Sequence, residues 1–146
     1  MSEQNQIRFE DGAAYETYMG IWSRKVGEQF LAWLNPPPNL SWLDVGAGNS
    51  AFTALLAEHV KPASILGIDP SPAQLDYARK RQDVGHAHFE AGHAMELPAA
   101  DASVDAAVMA LVIAFVPDPA KGVAEMVRAV KQGGLVAAYM WDWPEG

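Results

Sequence analysis

A chain of 146 residues, 50% hydrophobic and 19% charged, has the size of one ordinary domain and enough apolar material for a core, which excludes a disordered chain. Ten Lys and Arg against 18 Asp and Glu leave a formal charge of -8, so binding to nucleic acid or to an anionic membrane surface is not expected. With no cysteine, disulfide scaffolds, thiolate catalysis and Cys-ligated zinc are excluded.

Met1 to Gly12 is polar and lacks the apolar core of a signal peptide. The longest uncharged apolar run, Ala106 to Val116, falls short of the roughly 20 residues that span a bilayer. The expectation is a soluble, cytoplasmic protein forming one domain over residues 1–146, with an N-terminal helical lid (1–38) and a core (39–146). From Ala14 to Trp33 a helix is predicted, since Tyr15, Tyr18, Met19, Trp22, Val26, Phe30 and Trp33 recur at three- and four-residue steps. Pro36 to Pro38 stop it. Ser41 to Val45 reads as a buried strand entering a tight turn at Gly46-Ala47-Gly48, and a helix follows over about 50–60, with Phe52, Leu55, Leu56 and His59 on one face.

Ser64 to Ile68 is the second strand. Ser71-Pro72-Ala73-Gln74 opens the next helix with a capping residue and proline at the first helical position. A third strand is expected over His86–Glu90 and a fourth over Val104–Val112, apolar almost throughout. Asp118-Pro119 caps a helix running to about Lys131, Gly133-Gly134 ends it, and Leu135 to Trp141 forms the fifth strand. Strands alternating with helices predict an α/β fold, a doubly wound, Rossmann-like parallel sheet of about five strands with helices on both faces.

The glycine turn lies between a strand and a helix, where backbone can approach a ligand closely and free N–H groups are on offer. Asp69 falls at the tip of the second strand, about 20 residues further on, where an acid can bind both ribose hydroxyls of a nucleoside. Read loosely, Gly46-x-Gly48-x-x-Ala51 also satisfies the dinucleotide fingerprint, so an NAD-dependent oxidoreductase competes. Asp44 argues against it, because a carboxylate there would repel a pyrophosphate. S-adenosylmethionine has no phosphate and carries a sulfonium and an ammonium. The plainer alternative for Asp44 is a carboxylate capping the amides of its own turn.

Leu43-Asp44-Val45-Gly46-Ala47-Gly48 resembles motif I of class I S-adenosylmethionine-dependent methyltransferases, and Gly67-Ile68-Asp69-Pro70-Ser71 resembles their ribose-binding segment. Glu96-Leu97-Pro98, Asp101 to Asp105, Pro117-Asp118-Pro119, Glu125-Met126 and Lys131 to Gly134 are similar to later segments of the same family. Met19 to Arg24 and Phe30 to Leu34 are similar to the N-terminal helix of its UbiE/type 11 group. The resemblance implies that Gly46, Ala47 and Gly48 lie under the methionine part of S-adenosyl-L-methionine, with Asp44 organising that end. It implies Asp69 on the ribose, Pro70 on the adenine, Ala94 and Met95 along the adenine's other side, and Ala110 near the sulfonium. Tyr18 and Arg24 would close over the donor, against core packing and a solvated charge as their plainer readings.

Three departures bear on function. His93 stands where the family usually has Asp, which predicts a weaker bond to the adenine amino group. Ser50 replaces the third glycine and is expected as a helix N-cap. Ala114-Phe115 stands where many relatives carry a His pair, so no general base is identified. The resemblance also implies a helix and an antiparallel strand pair beyond the fifth strand, whereas the chain ends at Gly146. An open strand-five edge bearing Trp141 and Trp143 is therefore expected, completed by another chain or paired across a homodimer. The function implied is methyl transfer to a small-molecule acceptor, the alternative being a shortened donor-binding module inactive alone. His86, His88 and His93 do not make a metal site without a positioned carboxylate. Arg79-Lys80-Arg81 reads as a solvated helix end, and Asp105 and Asp118 as strand-entry and cap residues. Met109, Met126 and Met140 read as core.

Overall fold

The computed structural model describes the backbone of residues 12–142 and the side chains of residues 20–142. The expected contacts of Tyr15, Tyr18, Met19 and Trp143 lie outside the described residues. The elements are α1 (Gly12–Leu34), β1 (Ser41–Val45), α2 (Ala51–His59), β2 (Ser64–Asp69), α3 (Pro72–Lys80), β3 (His88–Ala91), β4 (Val104–Ala110), a 3-10 turn (Ile113–Phe115), α4 (Pro119–Ala129) and β5 (Val130–Tyr139). No helix among the described residues is long and apolar enough to cross a membrane.

The five strands form one parallel sheet in the order β3-β2-β1-β4-β5. From β1 the chain steps outward to β2 and β3, then returns to lay β4 on β1's other side, pairing Trp42 with Ala106 and Asp44 with Val108. The strand order therefore reverses between β1 and β4, and a crevice opens beyond their carboxyl ends. Side-chain alternation splits β1 cleanly. Trp42 faces α1 and α2 with Phe30, Leu31, Phe52, Leu55, Leu56, Ile65 and Val108, while Leu43 and Val45 face α4 with Ile68, Met109, Met126 and Ala129. A smaller cluster of Leu75, Ala78, Val84 and Phe89 seats α3.

Local chemistry fixes the helix starts. Ser71 Oγ accepts the Gln74 N–H at 3.3 Å, and Asp118 Oδ1 accepts the Lys121 N–H at 3.2 Å, each followed by proline in the first turn. Asp105 accepts the Ser41 backbone N–H at 2.8 Å and its hydroxyl at 2.9 Å, joining the starts of β4 and β1. The connection from β3 to β4 contains no helix. It is held instead by α4, where Arg128 donates to the carbonyls of Leu97 and Ala99 and to Asp101, and Glu125 accepts the Leu97 N–H.

Several expectations need correction. Trp33 is 77% exposed and Trp22 nearly half exposed, so both leave the helix's core stripe, and His59 is likewise exposed. β3 begins at His88 rather than His86. β4 stops at Ala110: the Leu111 N–H still donates to the Tyr139 carbonyl at 2.9 Å, but its positive φ of 62° turns the chain off the strand. The helix before β5 ends at Ala129, not Lys131, and the glycine pair does not end it. β5 pairs Val130 with Val104, then Leu135 with Ala106; the intervening irregularity takes up residues 131–134, including Gly133 at φ 82°. Trp141 follows β5 rather than forming its last residue, and Met140 is only partly buried beside the fully buried Met109 and Met126. Among the described residues β5 has a strand neighbour on one side only, and its Val136 is 38% exposed.

Candidate functional site: a cavity beyond the glycine turn

The turn after β1 doubles the chain back with three residues in left-handed backbone: Gly46 at φ 72°, Gly48 at 57° and Ser50 at 66°. The Gly46 and Ala47 N–H groups donate to the Ile68 carbonyl at 2.8 and 2.9 Å, pinning the turn to the end of β2. A Cβ at Gly46 would stand 2.9 Å from Val112 Cγ2, so only glycine lets the loop after β4 approach this closely. The Gly48 N–H donates to Asp69 Oδ2 at 2.9 Å, and Asp69 Oδ1 accepts the Ser71 N–H at 2.9 Å. Asp69, not Asp44, thus caps the turn's amides. Ser50 is not the side-chain cap of α2. Asn49 Oδ1 accepts the Ala51 N–H at 3.0 Å, while the Ser50 hydroxyl donates to the Asn49 carbonyl.

Asp44 is 1% exposed. Thr53 Oγ1 in α2 donates to its Oδ2 at 2.6 Å, and its Oδ1 has no hydrogen-bond partner among the described residues. Burial pushes this carboxyl up to about 7; the Thr53 hydroxyl opposes the change and the nearby Asp69 charge adds to it. Asp44 lines a cavity of about 280 Å³ together with Gly46 to Asn49, Ala110, Leu111, Val112, Tyr139, Arg24 and Phe52. Tyr139 stacks on Phe30 with ring centroids 4.4 Å apart, and its phenol is held above its ordinary value by burial and then by the Asp44 charge.

Of the residues singled out from the sequence, Asp44, Gly46, Ala47, Gly48, Ala110 and Arg24 meet at this one cavity. Asp69 adjoins it through the Gly48 N–H. Pro70, His93, Ala94 and Met95 do not line it: His93 is exposed, its carbonyl accepting the Glu96 N–H, and Ala94 packs against the α4-side core. Tyr18 sits in α1, its side chain outside the described residues. Arg24 is no freely solvated charge. Its guanidinium meets Glu58 at 2.7 Å and Glu28 at 3.2 Å, tying α1 to α2. The basic run at the end of α3 is not simply solvated either, since Arg79 donates to the Phe89 carbonyl at 2.9 Å.

Sequence reasoning missed Thr53, Asn49 and Tyr139. Thr53 left a trace, as a polar residue inside the apolar helical run Phe52 to Leu56. Tyr139 left another, as the inward residue after Leu135 and Ala137 on the alternating β5.

Residues 43–138 match the family described as "Methyltransferase domain", and the chain belongs to that family, the type 11 group of the class I S-adenosylmethionine-dependent methyltransferases. It is 32% identical over 113 residues to the malonyl-[acyl-carrier protein] O-methyltransferase of Serratia marcescens, covering 77% of this chain and 43% of that protein. It is 35% identical over 115 residues to the demethylmenaquinone methyltransferase of Deinococcus radiodurans, covering 77% and 46%. A SAM-dependent methyltransferase structure from Thermotoga maritima superposes with a TM-score of 0.69 at 28% identity, over 90% of this chain and 58% of that one. The chain spans less than half the length of these two curated relatives.

Proposed function

We propose that the chain binds S-adenosyl-L-methionine beyond β1 and β4 and transfers its methyl group to a small-molecule acceptor. One observation carries the reading: a buried carboxylate oxygen, Asp44 Oδ1, has no partner among the described residues and belongs to a residue lining the cavity. An unpaired buried acceptor is costly unless a ligand completes it, and an ammonium is the complement it calls for. The close approach of Val112 to Gly46 leaves a narrow wall suited to a flexible amino-acid tail. The residues present therefore fit this donor, and a pyrophosphate would meet Asp44 unfavourably.

In this reading Asp44 accepts from the donor's ammonium, and Arg24, released from Glu58, meets its carboxylate. Asp69 keeps acceptor capacity for the ribose hydroxyls beyond the two N–H groups it already holds. Pro70, Ala94 and Met95 flank the adenine, His93 accepts from its amino group, and Tyr18 closes from α1. When bound, the donor supplies a methyl carbon already activated by a sulfonium. The chain's part is to position that carbon and keep water from it. Leu111 to Val116 contain no titratable side chain, which supports an acceptor whose nucleophile needs no base from this loop. The same absence favours a second reading, a donor-binding module inactive by itself. The edge of β5, which has no strand neighbour among the described residues, supports completion by another chain or across a homodimer.

Calorimetric titration with S-adenosylhomocysteine, with NADH as the control, tests the donor site. Saturable binding of the first and none of the second is expected, weakened by Asp69→Ala; the reverse preference would overturn the proposal. Transfer of labelled methyl to a panel of phenols, amines and carboxylates then separates the enzyme from the inactive module. Light scattering reports the assembly state.

A further inference from the structure

The Asn49 carbonyl belongs to the strained part of the donor turn, between Gly48 at φ 57° and Ser50 at φ 66°. A guanidinium from a distant element holds it. Arg81 leaves the end of α3 in extended backbone (φ -68°, ψ 140°), so its side chain does not follow the helix face. Asp83, two residues on, takes Arg81 Nε at 2.7 Å and Nη2 at 2.9 Å, a bidentate fork that fixes the guanidinium plane. The remaining Nη1 donates to the Asn49 carbonyl at 3.1 Å, across 32 residues of sequence. Less than a quarter of the Arg81 side chain is exposed, whereas Asp83 is well exposed.

We propose that Arg81, oriented by Asp83, is a positioning residue for methyl-donor binding: by holding the Asn49 carbonyl it fixes the stretch Gly48-Asn49 that walls the cavity. The inference rests on the donor reading above and adds a part to it. The rest of the turn is anchored elsewhere, Gly46 and Ala47 by the Ile68 carbonyl and Gly48 by Asp69. Among the described residues the Asn49 carbonyl otherwise receives only the hydroxyl of its neighbour Ser50. Without Arg81, the peptide between two left-handed residues is free to relax toward ordinary backbone and shift the wall. A planar fork does this work and a lysine cannot, because one ammonium does not span Asp83 and Asn49 in fixed geometry.

The test compares two ligands on the intact chain. S-adenosylhomocysteine carries the amino-acid tail that this wall would contact, whereas 5′-methylthioadenosine carries the nucleoside without it. Arg81→Ala should weaken S-adenosylhomocysteine about tenfold and change 5′-methylthioadenosine less than about twofold. Asp83→Ala, which removes an exposed side chain and leaves the core untouched, should produce a smaller loss with the same ligand preference. Equal weakening of both ligands would reduce Arg81 to general scaffolding, and unchanged affinity for both would remove its role. Should Arg81→Ala fail to fold, the Asp83→Ala pair of titrations decides alone. Wild-type chain that binds neither ligand would overturn the donor site itself, and this inference with it.

Discussion

Replacing Asp44 by Asn probes the buried carboxylate from two sides, the stability of the free chain and the affinity for the donor. A carboxyl that titrates near 3.8 when unfolded and at about 7 when folded binds more protons in the folded state between those values. Stability must therefore fall as pH rises from about 4 to 7 and level off above, by about 4 kcal/mol in all. For a chain of this size that is a difference of roughly 10 °C in Tm. Asp44→Asn leaves an amide with its own cost of burial, but that cost does not vary with pH. The other titrating groups are common to both proteins and cancel in the comparison. Melting curves at half-unit steps from pH 4.5 to 8.5 should show the wild-type Tm declining relative to the variant by most of that amount, since about 1 kcal/mol of the change falls below pH 4.5. In the ligand arm, only ionised Asp44 complements an ammonium, so wild-type affinity for S-adenosylhomocysteine should be about tenfold weaker at pH 6 than at pH 8. The variant should bind weakly at both. Parallel melting profiles, or a wild-type affinity flat across pH 6 to 8, would refute the reasoning.

Gly46→Ala places a methyl 2.9 Å from Val112 Cγ2 in left-handed backbone, so a loss of roughly 1–2 kcal/mol is expected in urea denaturation, with tenfold or greater loss of donor affinity by calorimetry. Ser50→Gly should be neutral or stabilising by up to about 1 kcal/mol, since glycine carries no penalty at φ 66°; Ser50→Val, branched and fully buried there, should cost more than about 2 kcal/mol by the same denaturation assay. Met126→Ala opens a cavity at a side chain with no exposure and should cost about 2–5 kcal/mol, read from urea midpoints, while leaving S-adenosylhomocysteine affinity within about twofold.

Legibility in the sequence followed how local each physical cause was. β1 matched its expected span residue for residue, because a continuous apolar run closed by a glycine turn is a short-range signal. The starts of α3 and α4 were equally plain, since Ser71-Pro72 and Asp118-Pro119 satisfy their own first turns. The ends were less so. The junction of α4 and β5 depends on how Val130 pairs with Val104, a contact that no local pattern encodes. At the site, the motif residues themselves were visible, but their hydrogen-bond partners were not. Asp69 capping Gly48, Thr53 donating to Asp44 and Arg81 reaching Asn49 join residues 21, 9 and 32 positions apart.

From the sequence alone came the α/β class, the order of strands and helices, the glycine turn and the two acids that flank it, because each rests on backbone preference or on apolar periodicity within a few residues. The tertiary structure decided what those acids do. Parallel pairing of β1 with β4 buries Asp44 and, among the described residues, leaves one oxygen without a partner, while β2 delivers Asp69 to the turn's amide. Burial and hydrogen bonding arise from groups brought together across the chain, and they, rather than residue identity, set which carboxylate caps the turn and which one is left buried at the cavity.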